Sequence, residues 1–226
     1  MVDAQQNGAA TPAAGAGLSG GGGLAAALDA AATVEAALVT VAGAFRAAAA
    51  SGGLGLGDDA ARFLRAAQCQ DAQHLALLRA WGGAPAAERF ALPSGAADDS
   101  DRALGLLLTL KGIAVGAAMA IARAQAEAGA PARVEAAFAW GAAEAQALAV
   151  ARGLAGQQPA NDRAFARWRF VEGARALDLL RRTGLLDGGD AAVPYPGPAG
   201  TEIDCTDVVG LVPETTDDAP PPEART

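Results

Sequence analysis

The only histidine of the chain lies in a stretch whose apolar residues recur every three or four positions. The residues on this stripe are Leu64, Ala67, Asp71, His74, Leu75 and Leu78. Such spacing places side chains on one face of an α-helix, and this face is mostly apolar. A carboxylate and an imidazole one turn apart on such a face need a partner in the core, and a metal ion is a common one. The stretch therefore predicts a helix that carries a polar site into a helical core.

The composition of the chain favours helices over strands. Apolar residues make up 52% of its 226 residues, most of them Ala and Leu, and aromatic residues make up only 4%. Ala and Leu have high helix propensity, whereas the β-branched residues typical of strands occur in short patches. We therefore predict an all-α protein.

Five helices are predicted from apolar stripes that are interrupted by Gly- and Pro-containing loops. They are expected at about residues 24–50, 58–81, 100–128, 131–154 and 160–183. Polar residues at positions 58–59 and 98–100 are the expected N-caps of the second and third helices. The third helix is apolar nearly all round, so it should be the most buried.

The connector between the second and third helices, residues 82–99, is long. Fully extended it would reach roughly 60 Å, whereas a helix of about 24 residues is only about 36 Å long. It can therefore run the whole length of a bundle as a crossover. Four core helices of similar length with such a crossover indicate a ferritin-like four-helix bundle, with the fifth helix packed on the outside.

The charge of the chain is concentrated at its C-terminal end. The net charge is −8, but residues 1–184 hold 16 acids and 16 bases, whereas residues 185–226 hold 9 acids and one base. The body has no basic footprint for nucleic acid, so no nucleic-acid partner is expected. We divide the chain into a flexible Gly/Ala-rich leader (1–23), a ferritin-like helical domain (24–184) and an acidic, Pro/Gly-rich tail (185–226) that should be largely disordered.

Three features bear on the compartment. The longest apolar run, Leu104–Ala122, has Lys111 near its middle and many Ala and Gly residues, which favours a soluble helix over a membrane span. Residues 1–23 lack the basic and apolar regions of a secretory signal, so a cytoplasmic protein is expected. Cys69 and Cys205 could pair in an oxidising compartment, but two cysteines do not make a disulfide framework.

Carboxylates lie on the apolar stripes of three of the four core helices. Glu35 lies on the first, Asp71 with His74 on the second and Glu144 on the fourth, each within about two turns of the helix middle. Ionised carboxylates in one core repel each other unless a cation or protons neutralise them. Carboxylates with one imidazole suit iron, manganese or zinc. Two simpler interpretations stay open: His74 as a core histidine hydrogen-bonded to Glu35 or Glu144, and either glutamate as a surface acid.

Four short motifs accompany this helix order: Ala-Ala-Thr-Val-Glu35, Asp71-Ala-Gln-His74-Leu-Ala-Leu-Leu-Arg-Ala-Trp-Gly-Gly, Phe90-Ala-Leu-Pro93 and Ala143-Glu144-Ala145-Gln146-Ala147. Over residues 28–155 the chain thereby resembles the bacterial ferritin-like domain family that includes desiccation-related proteins. The resemblance implies a dinuclear metal site held by Glu on the first and third helices and by Glu-x-x-His on the second and fourth. Carried onto this chain, it implies Glu35, Asp71, His74 and Glu144 as metal ligands.

Two positions depart from the pattern of that family. The third-helix carboxylate falls near Thr109, and the fourth-helix histidine falls on Ala147. Lys111 lies about 200° around the helix from Thr109, which favours an outward or snorkelling side chain over a buried counter-ion. The two missing ligands are mainly those of the second metal ion, so their absence argues against a redox dinuclear centre.

The sequence leads to one functional prediction and one alternative. The prediction is a ferritin-like protein, stress-related by resemblance, whose degenerate site binds at most one iron or manganese ion, or zinc. The alternative is a metal-free structural or protein-interaction module. A protein partner could contact the acidic tail or the Arg-rich fifth helix, and self-association into a homo-oligomer is a further expectation. No nucleophile or phosphate-binding motif is found, and whether the protein is an enzyme stays open.

Overall fold

The computed structural model describes residues 23–158, 172–173, 175–186, 192–195, 203 and 205. Its helices are α1 (Leu24–Ala50), α2 (Asp58–Ala80), α3 (Ser100–Glu127), α4 (Pro131–Leu154) and α5 (Arg175–Arg182). Two strands of two residues each, β1 (Arg89–Phe90) and β2 (Val193–Pro194), form the sheet of the described residues. The predicted all-α class is confirmed, and the first four helices begin and end within about two residues of their expected positions.

The starts of α2 and α3 show one correct and one wrong cap prediction. The Asp99 carboxylate accepts hydrogen bonds from the backbone N–H groups of Asp101 and Arg102, at 2.9 and 3.0 Å, and so caps α3 as expected. At α2 the N-cap is Gly57, and no side chain caps the helix. Asp58 lies inside the first turn instead, where its negative charge favours the positive end of the helix dipole.

The core is formed by α1 and α3, which are buried on all sides along their middle turns. Every residue from Ala30 to Ala42 on α1 and from Leu110 to Ala118 on α3 is buried. Helix α3 packs along both α1 and α4, α1 also packs on α2, and the contact between α2 and α4 is sparser. Many of the buried residues are Ala or Gly, which lets the helix backbones approach closely.

The connector after α2 starts beside the beginning of α1. The backbone N–H of Ala84 donates to Asp29 Oδ1, and that of Ala86 donates to Thr33 Oγ1, both at 2.8 Å. At the other end, Ser100 at the start of α3 lines a surface depression together with Asp58 at the start of α2. The connector therefore begins near the last turn of α2 and delivers the chain to the first turn of α2.

The last helix is shorter than predicted. The expected fifth helix spanned about residues 160–183, but α5 begins at Arg175, after a bend and a turn at Glu172 and Gly173. A Cβ atom on Gly173 would lie 2.6 Å from the Ala27 Cβ atom, so the chain approaches α1 too closely for any other residue to fit without a shift. The expectation of one helix through 172–173 is thus wrong, and the rest of the predicted element, 159–171 and 174, lies outside the described residues.

Described residues of the predicted tail are attached to the body. Strand β2 pairs antiparallel with β1, with Val193 opposite Phe90, and the Arg79 guanidinium lies 5.3 Å from the ring centre of Tyr195. A disulfide joins Cys69 on α2 to Cys205, with 5.8 Å between the two Cα atoms. Residues 1–22 of the predicted leader (1–23) and most of the predicted disordered tail lie outside the described residues.

Two helices are long and apolar enough to cross a membrane, by length and composition alone. They are α1 and α3, with mean hydropathies of 1.7 and 2.0, and 78% of each apolar window is buried inside the protein. Core helices of soluble proteins have the same properties, so these two helices are weak support for a membrane location.

Candidate metal centre

The structure brings together the four residues that the sequence singled out. One ligand atom from each of Glu35, Asp71, His74 and Glu144 lies within 4.8 Å of every other. The three carboxylates are fully buried, and the His74 side chain is 12% exposed. The proximity expected from the helix stripes is therefore confirmed, whereas metal ligation stays a prediction.

Trp140 on α4 holds Glu35 in place, and sequence reasoning missed it. Its indole N–H donates a 2.9 Å hydrogen bond to Glu35 Oε1, and its side chain is only 2% exposed. The His74 and Trp140 rings also lie near each other, with 6.1 Å between their centres. Trp140 precedes Glu144 by one turn on the same helix, so the spacing of four residues was the signal that could have revealed it.

Lys111 contributes a cation to the centre, contrary to the expectation of an outward side chain. Its Nζ lies 2.5 Å from Asp71 Oδ1 and 2.9 Å from Glu144 Oε2, and the side chain is fully buried. Thr109, by contrast, is only partly buried and donates its hydroxyl to the Gly105 carbonyl of its own helix. The third helix thus directs Lys111 toward the site where the family pattern has a carboxylate near Thr109.

The prediction for Lys111 failed because α3 has no polar face from which an inward direction could be read. An angle of about 200° from one position identifies an outward side chain only if that position points inward, and Thr109 does not. The long aliphatic stem of Lys111 passes through the Ala- and Leu-rich core and ends at the two carboxylates.

His74 makes the remaining contacts of the centre. Its Nδ1 lies 2.9 Å from Glu144 Oε1 and 3.8 Å from Glu35 Oε2. These are ion-pair distances, although the Nδ1–Glu144 contact is not aligned as a hydrogen bond. Burial lowers the pKa of His74, but the two carboxylates outweigh burial and raise this pKa to about 10. In the absence of a metal ion, His74 is therefore a second buried cation at neutral pH.

Burial and neighbouring charges shift the pKa values of the three carboxylates in different directions. Desolvation raises the pKa of Asp71 well above its usual range, and desolvation together with the Glu144 charge raises the pKa of Glu35. Burial also raises the pKa of Glu144, but the positive charges of Lys111 and His74 together outweigh burial, so the pKa of Glu144 is lowered. Glu144, which contacts both cations, is thus the most strongly ionised of the three.

Four buried carboxylate oxygens of the centre have no aligned hydrogen bond among the described residues: Glu35 Oε2, Asp71 Oδ2 and both oxygens of Glu144. The two Glu144 oxygens have ion-pair contacts to His74 and Lys111, at 2.9 Å each. A buried carboxylate oxygen without a donor costs free energy unless a proton, a water molecule or a cation satisfies it. The centre therefore retains the capacity to bind a cation beyond Lys111, and its donor set of oxygens and one imidazole nitrogen suits iron, manganese or zinc.

Charge balance admits two arrangements of this centre. Three ionised carboxylates are neutralised by the Lys111 ammonium and one divalent ion if His74 is neutral. They are also neutralised without a metal if Lys111 and His74 are both charged and one carboxylate is protonated. A second divalent ion would leave the buried cluster with excess positive charge, which is costly in the core. Ala147, where the family pattern has its second histidine, is buried and supplies no ligand.

No known protein family, curated protein or solved structure matches this chain. The resemblance to the bacterial ferritin-like domain family therefore stays a prediction that rests on short motifs and helix order.

Proposed function

We propose that this chain is a ferritin-like four-helix bundle with a crossover, whose degenerate centre binds at most one divalent metal ion. The packing of α1–α4 and the course of the 82–99 connector support the architecture, since the connector starts beside α1 and ends at the first turn of α2. The bundle would position the site residues, and α5 would pack outside it.

The observation that carries the metal proposal is the convergence of the four ligand residues within 4.8 Å. Glu35, His74 and Glu144 would hold the ion, because Glu144 Oε1 and Glu35 Oε2 both lie near the His74 imidazole, at 2.9 and 3.8 Å, whereas Asp71 contacts Lys111 at 2.5 Å. Iron, manganese or zinc fits this mixture of carboxylate oxygen and imidazole nitrogen. The metal, when bound, would supply a Lewis-acid centre, and with iron or manganese a one-electron redox centre.

Lys111 accounts for the limit of one ion. Its ammonium lies between Asp71 and Glu144, where a second metal of a dinuclear pair would need those oxygens. A buried ammonium also repels a divalent cation placed beside it. Full ferroxidase activity at two irons is therefore not part of the proposal.

One observation favours the alternative of a metal-free structural or interaction module. Lys111 and His74 already contact Glu144 at 2.9 Å each, so two internal cations serve the carboxylates without any ion. In that case the centre would join all four core helices by charge, and the protein would act through its surface. The two candidates differ in one measurable quantity, the metal content.

The test is elemental analysis of the protein after expression with iron, manganese or zinc each supplied. The proposal expects about one equivalent of metal per chain, because one divalent ion with Lys111 balances the three carboxylates, and loss of that metal in Glu144→Gln and His74→Ala variants. Glu135→Gln is the matched control, since Glu135 lies on the same helix but is exposed. Less than about a tenth of an equivalent for every metal would exclude the metal proposal and leave the metal-free module.

A further inference from the structure

Lys111 and Asp71 are an amine and a carboxyl group held together in a site without bulk water. Nζ lies 2.5 Å from Asp71 Oδ1, and the two side chains are 0% and 1% exposed. The carboxyl carbon is bonded to the contacted oxygen, so nitrogen and carbon are already neighbours. Reacting groups held at such contact distance gain the entropic advantage of an intramolecular reaction.

A third group that can carry protons is present at the same nitrogen. Glu144 Oε2 lies 2.9 Å from Lys111 Nζ and is fully buried on a different helix. A carboxylate in this position can accept a proton from the attacking nitrogen and return it to the departing oxygen. The three residues thus provide a nucleophile, an electrophile and a general acid–base group.

We propose that Lys111 and Asp71 condense to an isopeptide bond that joins α3 to α2, with Glu144 as the proton carrier. In the reacting form, one proton of the Lys111 ammonium has moved to the Asp71 carboxylate, so Lys111 is a neutral amine and Asp71 is a carboxylic acid. The Nζ–Cγ bond forms, one Cγ–O bond breaks, and the oxygen leaves as water with the proton that Glu144 relays from the nitrogen. Ammonium and carboxylate give amide and water, no group is oxidised or reduced, and Glu144 ends ionised as it began.

The surroundings favour the amide over the ion pair. Two fully buried charges have lost their hydration, and their attraction only partly offsets that loss, whereas an amide carries no net charge. The described residues around the pair belong to three packed helices, so water has poor access for hydrolysis. The bond does not depend on a metal, and it leaves Glu35, His74 and Glu144 in place as the ligands proposed above. The amide removes the charges of both Lys111 and Asp71, so one divalent ion balances the two carboxylates that remain and the limit of one ion is kept.

The experiment is mass spectrometry of the full chain, purified in the presence of a chelator, reduced and denatured. The wild-type chain should weigh about 18 Da, one water molecule, less than its sequence mass. After digestion at Lys and Arg, residues 66–79 and 103–123 should appear as one branched peptide, because an acylated Lys111 is not cleaved. A wild-type chain of full sequence mass would overturn the proposal whether or not the protein binds metal.

Two controls give the result its specificity. Lys111→Arg keeps the cation but removes the nucleophilic amine, so this variant should have its full mass. Asp187-Gly188 can also lose water by forming a cyclic imide, and the same loss in Lys111→Arg would assign the missing water to such a site and overturn the proposal. If Lys111→Arg does not fold, the presence or absence of the branched peptide in the wild-type digest decides whether the isopeptide bond forms. Glu144→Gln should lower the cross-linked fraction at least severalfold, and Glu135→Gln should leave it unchanged.

Discussion

The hydrogen bond from Trp140 to Glu35 offers a direct measure of how the centre is held together. The indole N–H donates at 2.9 Å to a carboxylate that is 0% exposed, and no water can replace Trp140 without opening the core. Trp140→Phe removes this donor and leaves a small cavity in place of the larger ring. We expect the variant to lose about 3–5 kcal/mol of unfolding free energy, of which the cavity accounts for about half.

A double-mutant cycle separates the hydrogen bond from the cavity. In a Glu35→Leu background the acceptor is absent, so Trp140→Phe costs only the cavity there. The difference between the two backgrounds is the hydrogen bond from the indole N–H to the buried Glu35 side chain, which we expect to be about 1–3 kcal/mol at pH 7. It should shrink as pH falls through the raised pKa of Glu35, because protonation removes the charge of the acceptor.

The assay is urea unfolding followed by far-ultraviolet circular dichroism, with stability taken from linear extrapolation. Trp81→Phe is the matched control, since Trp81 is only partly buried beyond the last turn of α2, and it should change stability by less than about 1 kcal/mol. A coupling energy below about 0.5 kcal/mol at pH 7 would refute the reasoning, because it would mean that Glu35 gains nothing from the indole N–H.

Three further predictions concern other parts of the molecule. In the folded protein the pKa of His74 is raised to about 10 from 6.5, so its contribution to the stability of the metal-free protein is complete below about pH 6.5 and is lost as pH rises through about 10. The difference in unfolding free energy between wild type and His74→Gln, measured from pH 6 to 10.5, should therefore fall as pH rises. A constant difference would contradict this prediction. Gly83→Ala should cost about 1–3 kcal/mol in urea unfolding, because its Cβ would lie 2.9 Å from the Leu28 carbonyl oxygen, whereas Gly55→Ala meets no atom within 4 Å and should cost less; equal costs would count against this contact. Cys205→Ser should lower the melting temperature by an amount equivalent to about 2–4 kcal/mol without reductant, and reduced wild type should match it; two proteins that melt alike without reductant would show that the disulfide does not stabilise the fold.

The sequence predicts the helices and the four acidic and imidazole groups because both follow from local spacing. Asp71 and His74 lie three residues apart on the apolar stripe of the second helix, and Glu35 and Glu144 lie on the apolar stripes of the first and fourth helices. Helix α2 has a clear stripe, since much of its outer surface is exposed. The pattern of apolar and polar residues along α2 therefore shows which of its faces points into the core.

Local spacing could fix neither the direction of Lys111 nor whether Cys69 and Cys205 pair, for two different physical reasons. Helix α3 is buried all round its middle, so no contrast between faces shows where Lys111 points. Cys205 is separated from Cys69 by 136 residues, and pairing over such a distance depends on the tertiary fold. The cytoplasmic location expected from the sequence stays a prediction.

The Cys69–Cys205 disulfide also divides the centre in a topological sense. It closes a covalent ring of residues 69–205, and Asp71, His74, Lys111 and Glu144 all belong to that ring. Glu35 lies on α1, which precedes Cys69 and is outside the ring. Any opening in which α1 leaves the other helices removes one carboxylate and keeps the remaining four groups tethered. The first helix is thus the one helix of the centre outside the disulfide-closed ring, and packing and non-covalent bonds such as that from Trp140 to Glu35 hold it against the other three.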